Sequence, residues 1–275
     1  MRTRKLVAFG LFLVLLGICW EGVLAQPLPA LDQLTRESSY IFLGTATKTK
    51  ASTIELLPAN DSTVIVRVDA VLHAPATLAD YTGQEVTVQL REANSVQAGQ
   101  RLVFFTNGGL FGQGIALKEI GHLAPPAGAA DPTKLLGAQI AQALQKKSDE
   151  DLARRMTGAE LILVGKVLET HPAKLPGRGP MSEHDPEWWE AEIQIQSVEK
   201  GQHAGQTVSV LFANSLDYLW AQAPKLKPGE GGIFVQHRNE VNWPGTEKFY
   251  TLVNPLDVQP IGRLERVRQI LKGAL

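Results

Sequence analysis

Tyr40-Ile-Phe-Leu-Gly44-Thr-Ala and, later in the chain, Leu161-Ile-Leu-Val-Gly165-Lys-Val are the stretches that decide the fold. Each is a short apolar run that reaches a glycine. Each also opens a series of matching segments. Val64-Ile-Val-Arg-Val-Asp-Ala-Val71 answers Ala191-Glu-Ile-Gln-Ile-Gln-Ser-Val198, and Thr82-Gly83-Gln84-Glu-Val86-Thr-Val88 answers Ala204-Gly205-Gln206-Thr-Val208-Ser-Val210. Ala98-Gly99-Gln-Arg-Leu-Val-Phe-Phe105 answers Pro228-Gly229-Glu-Gly-Gly-Ile-Phe-Val235, and a last strand near Gly114 to Ile120 answers Phe249 to Val253. The paired glycines drift steadily further apart, as expected if one unit doubled and its second copy gained loop residues. So long a period predicts two domains and not a solenoid of short repeats.

Within each copy the pattern is that of five strands. Val64, Val66 and Val68 alternate with Ile65, Arg67 and Asp69, and Ile193 and Ile195 alternate with Glu192, Gln194 and Gln196. Period two puts one face in a core and the other in water. Val-Thr-Val and Val-Ser-Val after Gly83 and Gly205 are strongly strand-forming. Asn107-Gly108-Gly109 and Asn242-Trp243-Pro244-Gly245 carry turn chemistry and are expected to join the fourth and fifth strands. Short antiparallel strands without crossover helices predict a small closed barrel in each copy.

Helices are expected outside the barrels, covering their edges. Asp131-Pro132 has the form of an N-cap with proline at the first helical position, and Leu136, Ile140 and Leu144 follow at spacing four. Ser148 with Asp151 three residues on has the form of a capping box opening a second short helix through Leu152 and Met156. Leu264, Val267 and Leu271 give the C-terminal segment a similar stripe, and Ala124-Pro-Pro-Ala-Gly-Ala-Ala130 marks the boundary between the halves.

An apolar strand ending in Gly44 or Gly165, an alternating strand ending in Val71 or Val198, a Gly-x-x-Val-x-Val strand and a further glycine-led apolar strand together resemble the oligonucleotide/oligosaccharide-binding (OB) barrel. Among such barrels the chain is most similar to netrin-like and tissue-inhibitor-of-metalloproteinase-like domains, over residues 38–122 and 159–259. The expected fold class is therefore mainly β, with two tandem five-stranded OB-like barrels and short connecting and C-terminal helices. The expected organisation is a leader at 1–25, a first barrel at 26–128, a helical connector at 129–158, and a second barrel with its helix at 159–275. The inhibitors of that family chelate zinc through an N-terminal cysteine and are laced with disulfides. Here the N-terminus after cleavage would be Gln26, and that mechanism does not carry over.

The leader reading rests on three features. Arg2, Arg4 and Lys5 precede an apolar run from Leu6 to Ile18, and Val23-Leu24-Ala25 offers a small-residue cleavage site. The run is short for a spanning helix, so the expectation is export, with cleavage after Ala25 and a periplasmic or secreted destination. The one cysteine, Cys19, falls inside the leader. The processed chain would then have no thiol for a disulfide, a thiolate metal site or a cysteine nucleophile. A formal net charge of −1, with no lysine or arginine block, argues against nucleic acid and anionic membranes.

No motif calls for a cofactor. Gly108-Gly-Leu-Phe-Gly112-Gln-Gly114 lacks the Gly-Lys-Ser/Thr ending of a phosphate loop and falls between strands, which makes it a hairpin turn. The six histidines (73, 122, 171, 184, 203, 237) show no ligand spacing on one element. The segment Glu183-His184-Asp185-Pro-Glu187-Trp-Trp-Glu190, with His171 upstream, reads as an acidic solvated loop. Its alternative is a metal site using His171, His184 and Asp185.

Apart from Trp20 in the leader, the tryptophans Trp188, Trp189, Trp220 and Trp243 all fall in the second copy. Trp188 and Trp189 close a long loop between the first and second strands, and Trp243 lies between the fourth and fifth. With Arg238 and His184 they form a candidate recognition patch for a protein, a peptide or a glycan. The competing reading is packing, with at most one of Trp188 and Trp189 facing the core, because neighbours on a strand point to opposite faces. The function expected is a non-catalytic binding or interaction module with no nucleic-acid partner and no membrane span in the processed chain. A metal-dependent or carbohydrate-active role for the His184 loop and a structural duty in an envelope assembly are the alternatives.

Overall fold

The computed structural model describes residues 28–273 apart from 77, 79, 112–113, 130, 177–181, 183, 218, 239 and 242–243. The leader at 1–25, Glu183 and Trp243 lie outside the described residues. The chain is mainly β and divides between Ile140 and Ala141 into two compact units.

In the first unit, α1 (Leu28–Glu37) precedes β1 (Tyr40–Thr49), β2 (Thr63–His73), β3 (Glu85–Gln89), β4 (Arg101–Phe111) and β5 (Ile115–Leu123). The helix α1 was not foreseen from the sequence. The strands close in the order β1-β2-β3-β5-β4, and all pair antiparallel except β3 with β5. This is a Greek-key barrel of OB type. Its interior is filled by Tyr40, Phe42, Val64, Val66, Val68, Val86, Val88, Phe104, Ile115 and Leu117. Each buried aliphatic side chain contributes about 1.5–3 kcal/mol. A barrel this small closes only if its strands coil, and β1 does so at Gly44, where the register with β2 shifts. A Cβ there would lie 2.6 Å from Val66 Cγ1 and 3.0 Å from the Arg67 carbonyl.

The expected turn at Asn107-Gly108-Gly109 is instead part of β4, and the chain reverses beyond Phe111. Gly109 is the extra residue of a bulge between Gly108 and Leu110. A side chain there would meet the Ala116 carbonyl at 3.1 Å, so glycine serves the close approach of two strands and not a reversal.

In the second unit β6 (Leu161–Pro172), β7 (Trp188–Lys200), β8 (Thr207–Ala213), β9 (Gly231–Gln236), β10 (Tyr250–Leu252) and β11 (Val258–Gln259) form one curled sheet ordered β10-β8-β7-β6-β9-β11. Its β8–β10 pair is parallel, and Gly165 stands at a register shift between β6 and β7. The last strand, expected at Phe249 to Val253, is present as β10, and the short strand β11 follows it. Pro255 has no N–H for a ladder, and Asn254 caps a short 3-10 turn over Pro255–Asp257 between β10 and β11. β9 pairs with β11, and among the described residues the chain after β9 meets β10 at the bridge His237↔Thr251.

The helix α2 (Pro132–Thr157) opens as expected, with the Asp131 carboxylate accepting from the Lys134 N–H at 3.0 Å. It does not break at Ser148, so the expected second short helix is the continuation of the first. The residues around Ser148 are good helix formers, and no proline or glycine stops them. Leu152 and Met156 from α2, with Val267 and Ile270 from α3 (Leu264–Leu271), cover the outer face of β6 and β9. Asp149 ties the two helices by accepting from Arg263 Nη2 at 2.9 Å and Arg266 Nε at 3.1 Å. Among the described residues no helix is long and apolar enough to cross a membrane.

Candidate functional site

Two long connections of the second unit meet beside the start of β7, one joining β6 to β7 (173–187) and one joining β8 to β9 (214–230). The Asn214 N–H donates to the Glu187 carbonyl at 2.9 Å, which brings their bases together. Beyond that point the contacts are made by side chains. His184 Nδ1 lies 2.8 Å from Asp217 Oδ2, and the Trp220 indole N–H donates to the His184 carbonyl at 2.8 Å. The histidine holds the half-buried Asp217 carboxyl below its ordinary range, helped by the Leu219 N–H. Lys225 donates to the Trp220 and Ala223 carbonyls at 2.9 and 2.8 Å and closes the turn from below.

Trp188 and Trp189 start β7 and point to its two faces. Trp189 packs against the core on the inner face of the curled sheet, 6.4 Å from the Phe212 ring. Trp188, 6% exposed, anchors a small outer core with Leu211, Ala213 and Ala223, and Trp220 meets it edge-on at 5.7 Å. Their alternation is the expected one, but each face of the strand offers an apolar environment, so both rings are packed. Among the described residues neither buried indole nitrogen has a hydrogen-bond partner.

The structure brings His184 together with Trp220, and Trp220 with Trp188. Arg238 stands apart from them, its guanidinium stacked 4.3 Å over the Tyr250 ring and its N–H donating to Glu160. His171 pairs in register with Glu190 on β7, and Asp185 accepts from the Ser182 N–H at 2.8 Å. Among the described residues no three His, Cys, Asp or Glu side chains are grouped to hold a metal ion.

The loop residues that reach water are ones the sequence reading passed over. Leu216 and Leu219 flank Asp217 and are 91% and 56% exposed. Isolated exposed leucines are ordinary. Two of them on a loop pinned by His184, Trp220 and Lys225 form a fixed apolar display. The signal was present in Leu216-Asp-Tyr-Leu219-Trp220, an apolar pair in a segment of loop length, but nothing local reveals that Asp217 is held by a residue 33 positions away.

No family model and no curated protein matches the chain.

Proposed function

We propose that this chain is an exported, non-catalytic protein-interaction module whose second unit carries the contact surface. The two units follow one strand plan, which supports descent from a duplicated netrin-like barrel, and the processed chain is read as periplasmic or secreted. One observation carries the reading: Leu216 and Leu219 are held out in water by a loop fastened at three points. Ordering a loop costs conformational entropy of about 1–2 kcal/mol per residue. Here the entropy is spent on an apolar display that a partner with an apolar groove would bury.

The test is affinity capture from envelope and secreted fractions by the full chain and by a Leu216→Asp/Leu219→Asp variant. Both positions are exposed, so the variant is expected to fold with unchanged thermal stability. A protein retained by the parent and lost by the variant, and then bound directly in purified form with the same contrast, is the expected result. Equal retention of every captured protein by both chains overturns the assignment of the surface.

A further inference from the structure

On the first unit a cleft of about 530 Å³ opens over β1, β2 and β4, with the turn at Thr82 and Gly83 as one wall. Thr45 on β1 stands directly between Arg67 on β2 and Arg101 on β4 in the register of the sheet. Residues opposite one another in an antiparallel ladder share a face, so both arginines flank the same threonine. Asp69, two residues beyond Arg67 and mostly buried, is the brace between them. Its Oδ2 accepts from the Thr45 hydroxyl at 2.8 Å and from Arg101 Nε at 3.0 Å, and its Oδ1 faces Arg67 Nε and Nη2 at 3.4 Å each. Burial by itself raises the Asp69 carboxyl, but the hydrogen bonds from Thr45, Arg101 and Arg67 outweigh it and hold the group below its ordinary range.

Two guanidiniums thus share one carboxylate, and part of each is unspent. Arg67 Nη1 and both Arg101 Nη atoms make no hydrogen bond to a described residue, and both side chains are half-exposed. A guanidinium presents paired N–H groups at the spacing of carboxylate oxygens. The charged residues that line the cleft are these two cations and Asp69, so one further negative charge balances them. Glu85 faces Arg67 from β3 but accepts from the Thr47 hydroxyl at 2.9 Å, and Asp80 accepts from the Thr82 N–H at 2.9 Å. Neither is ion-paired with the arginines among the described residues, and their charges at the rim weigh against a doubly charged ligand. In the second unit the matching register places Lys166 between Gln194 and Gly231, so the arginine pair is a feature of the first unit.

We infer that this cleft binds a small organic monocarboxylate. The ligand carboxylate accepts from the unspent N–H groups of Arg67 and Arg101, on the side away from Asp69. Its carbon skeleton takes up the rest of a space far larger than an inorganic ion needs, along the methylene stems of the two arginines. A neutral amide of the same shape gives up the charge-assisted bonds. A dianion brings one charge too many to a site that already holds Asp69, with Asp80 and Glu85 at its rim.

The test is a titration of the full chain, ¹⁵N-labelled at arginine, with benzoate, benzamide and sulfate, following the Arg67 and Arg101 Nε–H resonances. Benzoate is expected to shift both saturably, benzamide to give no saturable shift, and sulfate to bind more weakly than benzoate. Arg101→Lys keeps the charge and loses the fork, and Arg67→Gln loses both. Each side chain is half-exposed, so both variants are expected to fold. By ligand-observed titration each is expected to weaken benzoate about tenfold, the worth of one hydrogen bond to a charged group. Independently of any variant, raising sodium chloride from about 0.05 to about 0.5 M is expected to weaken benzoate binding to the parent by screening. The proposal is overturned if benzoate fails to saturate, if benzamide or sulfate matches it, if salt leaves its affinity unchanged, or if both folded variants bind it like the parent.

Discussion

Arg155 lays its guanidinium along the carboxylate of Asp257, Nε to Oδ1 at 2.5 Å and Nη2 to Oδ2 at 2.8 Å. The fork joins the last turn of α2 to the 3-10 turn between β10 and β11 of the second unit. Asp257 is fully buried and also accepts from the Val253 and Asn254 N–H groups at 2.8 Å each, and Arg155 extends a second contact to Glu240. Replacing Arg155 with Met strands a buried carboxylate. The expected loss is about 3–5 kcal/mol in urea unfolding. Asp257→Asn, which can still accept from the two N–H groups, is expected to lose less. Equal stability of Arg155→Met and the parent would show that the fork holds nothing together.

His237 sits beside this fork, with Nε2 4.0 Å from Asp257 Oδ1 and no hydrogen-bond partner. Burial, and then the Arg155 charge, hold its imidazole below the usual histidine range; Asp257, Glu240 and Glu160 pull the other way. The unfolded chain therefore binds a proton that the folded chain refuses. The stability tied to His237 is complete above about pH 6.5, the ordinary value for a free histidine. It falls as the pH drops through that value toward the lowered one. Urea midpoints measured from pH 7.5 down to 5 are expected to decline, and His237→Gln is expected to flatten part of that decline. A parallel decline in parent and variant would assign the acid sensitivity elsewhere.

In the first barrel the Tyr40 hydroxyl is buried without a partner, and its pKa is pushed up to about 12, first by burial and then by Asp80 and Tyr81. A raised value means stability that is whole below about pH 10, the free tyrosine value, and lost as the pH climbs through the folded one. Ultraviolet titration is expected to show one tyrosine ionising late, and Tyr40→Phe is expected to remove it. Because the hydroxyl is unpaired, the same change is expected to raise stability by about 1 kcal/mol. A loss of that size would mean the hydroxyl has a partner in solution.

The strand pattern and its periodicity were legible because alternation and glycine spacing are local. Val64, Val66 and Val68 point inward as their spacing required, and Gly44 and Gly165 stand where strands must coil. Long-range events were not legible. The turn at Pro255–Asp257 that leads into β11 is fastened by Arg155, 102 residues from Asp257. The packing of both Trp188 and Trp189 depends on Trp220 and Phe212, supplied by other segments. The exposed leucines went unnoticed because exposure is a property of the whole fold.

Helix α2 gives two substitutions of opposite sign. Asp131 caps it through the Lys134 N–H, so Asp131→Ala is expected to cost about 1 kcal/mol. Ser148 lies in its interior, where alanine is the better helix former, so Ser148→Ala is expected to gain about 0.5 kcal/mol. Circular dichroism during thermal unfolding distinguishes this from a cap at Ser148, which would give losses for both.

The first unit is a welded hoop, with β4 and β5 laddered from Val103 to Phe111. The second has a clasp at that seam, formed among the described residues by the bridge between His237 and Thr251. At that bridge the Thr251 N–H and hydroxyl both donate to the His237 carbonyl, and β9 is covered on its outer edge by β11. Where the first unit is joined by a ladder, the second is joined by a clasp.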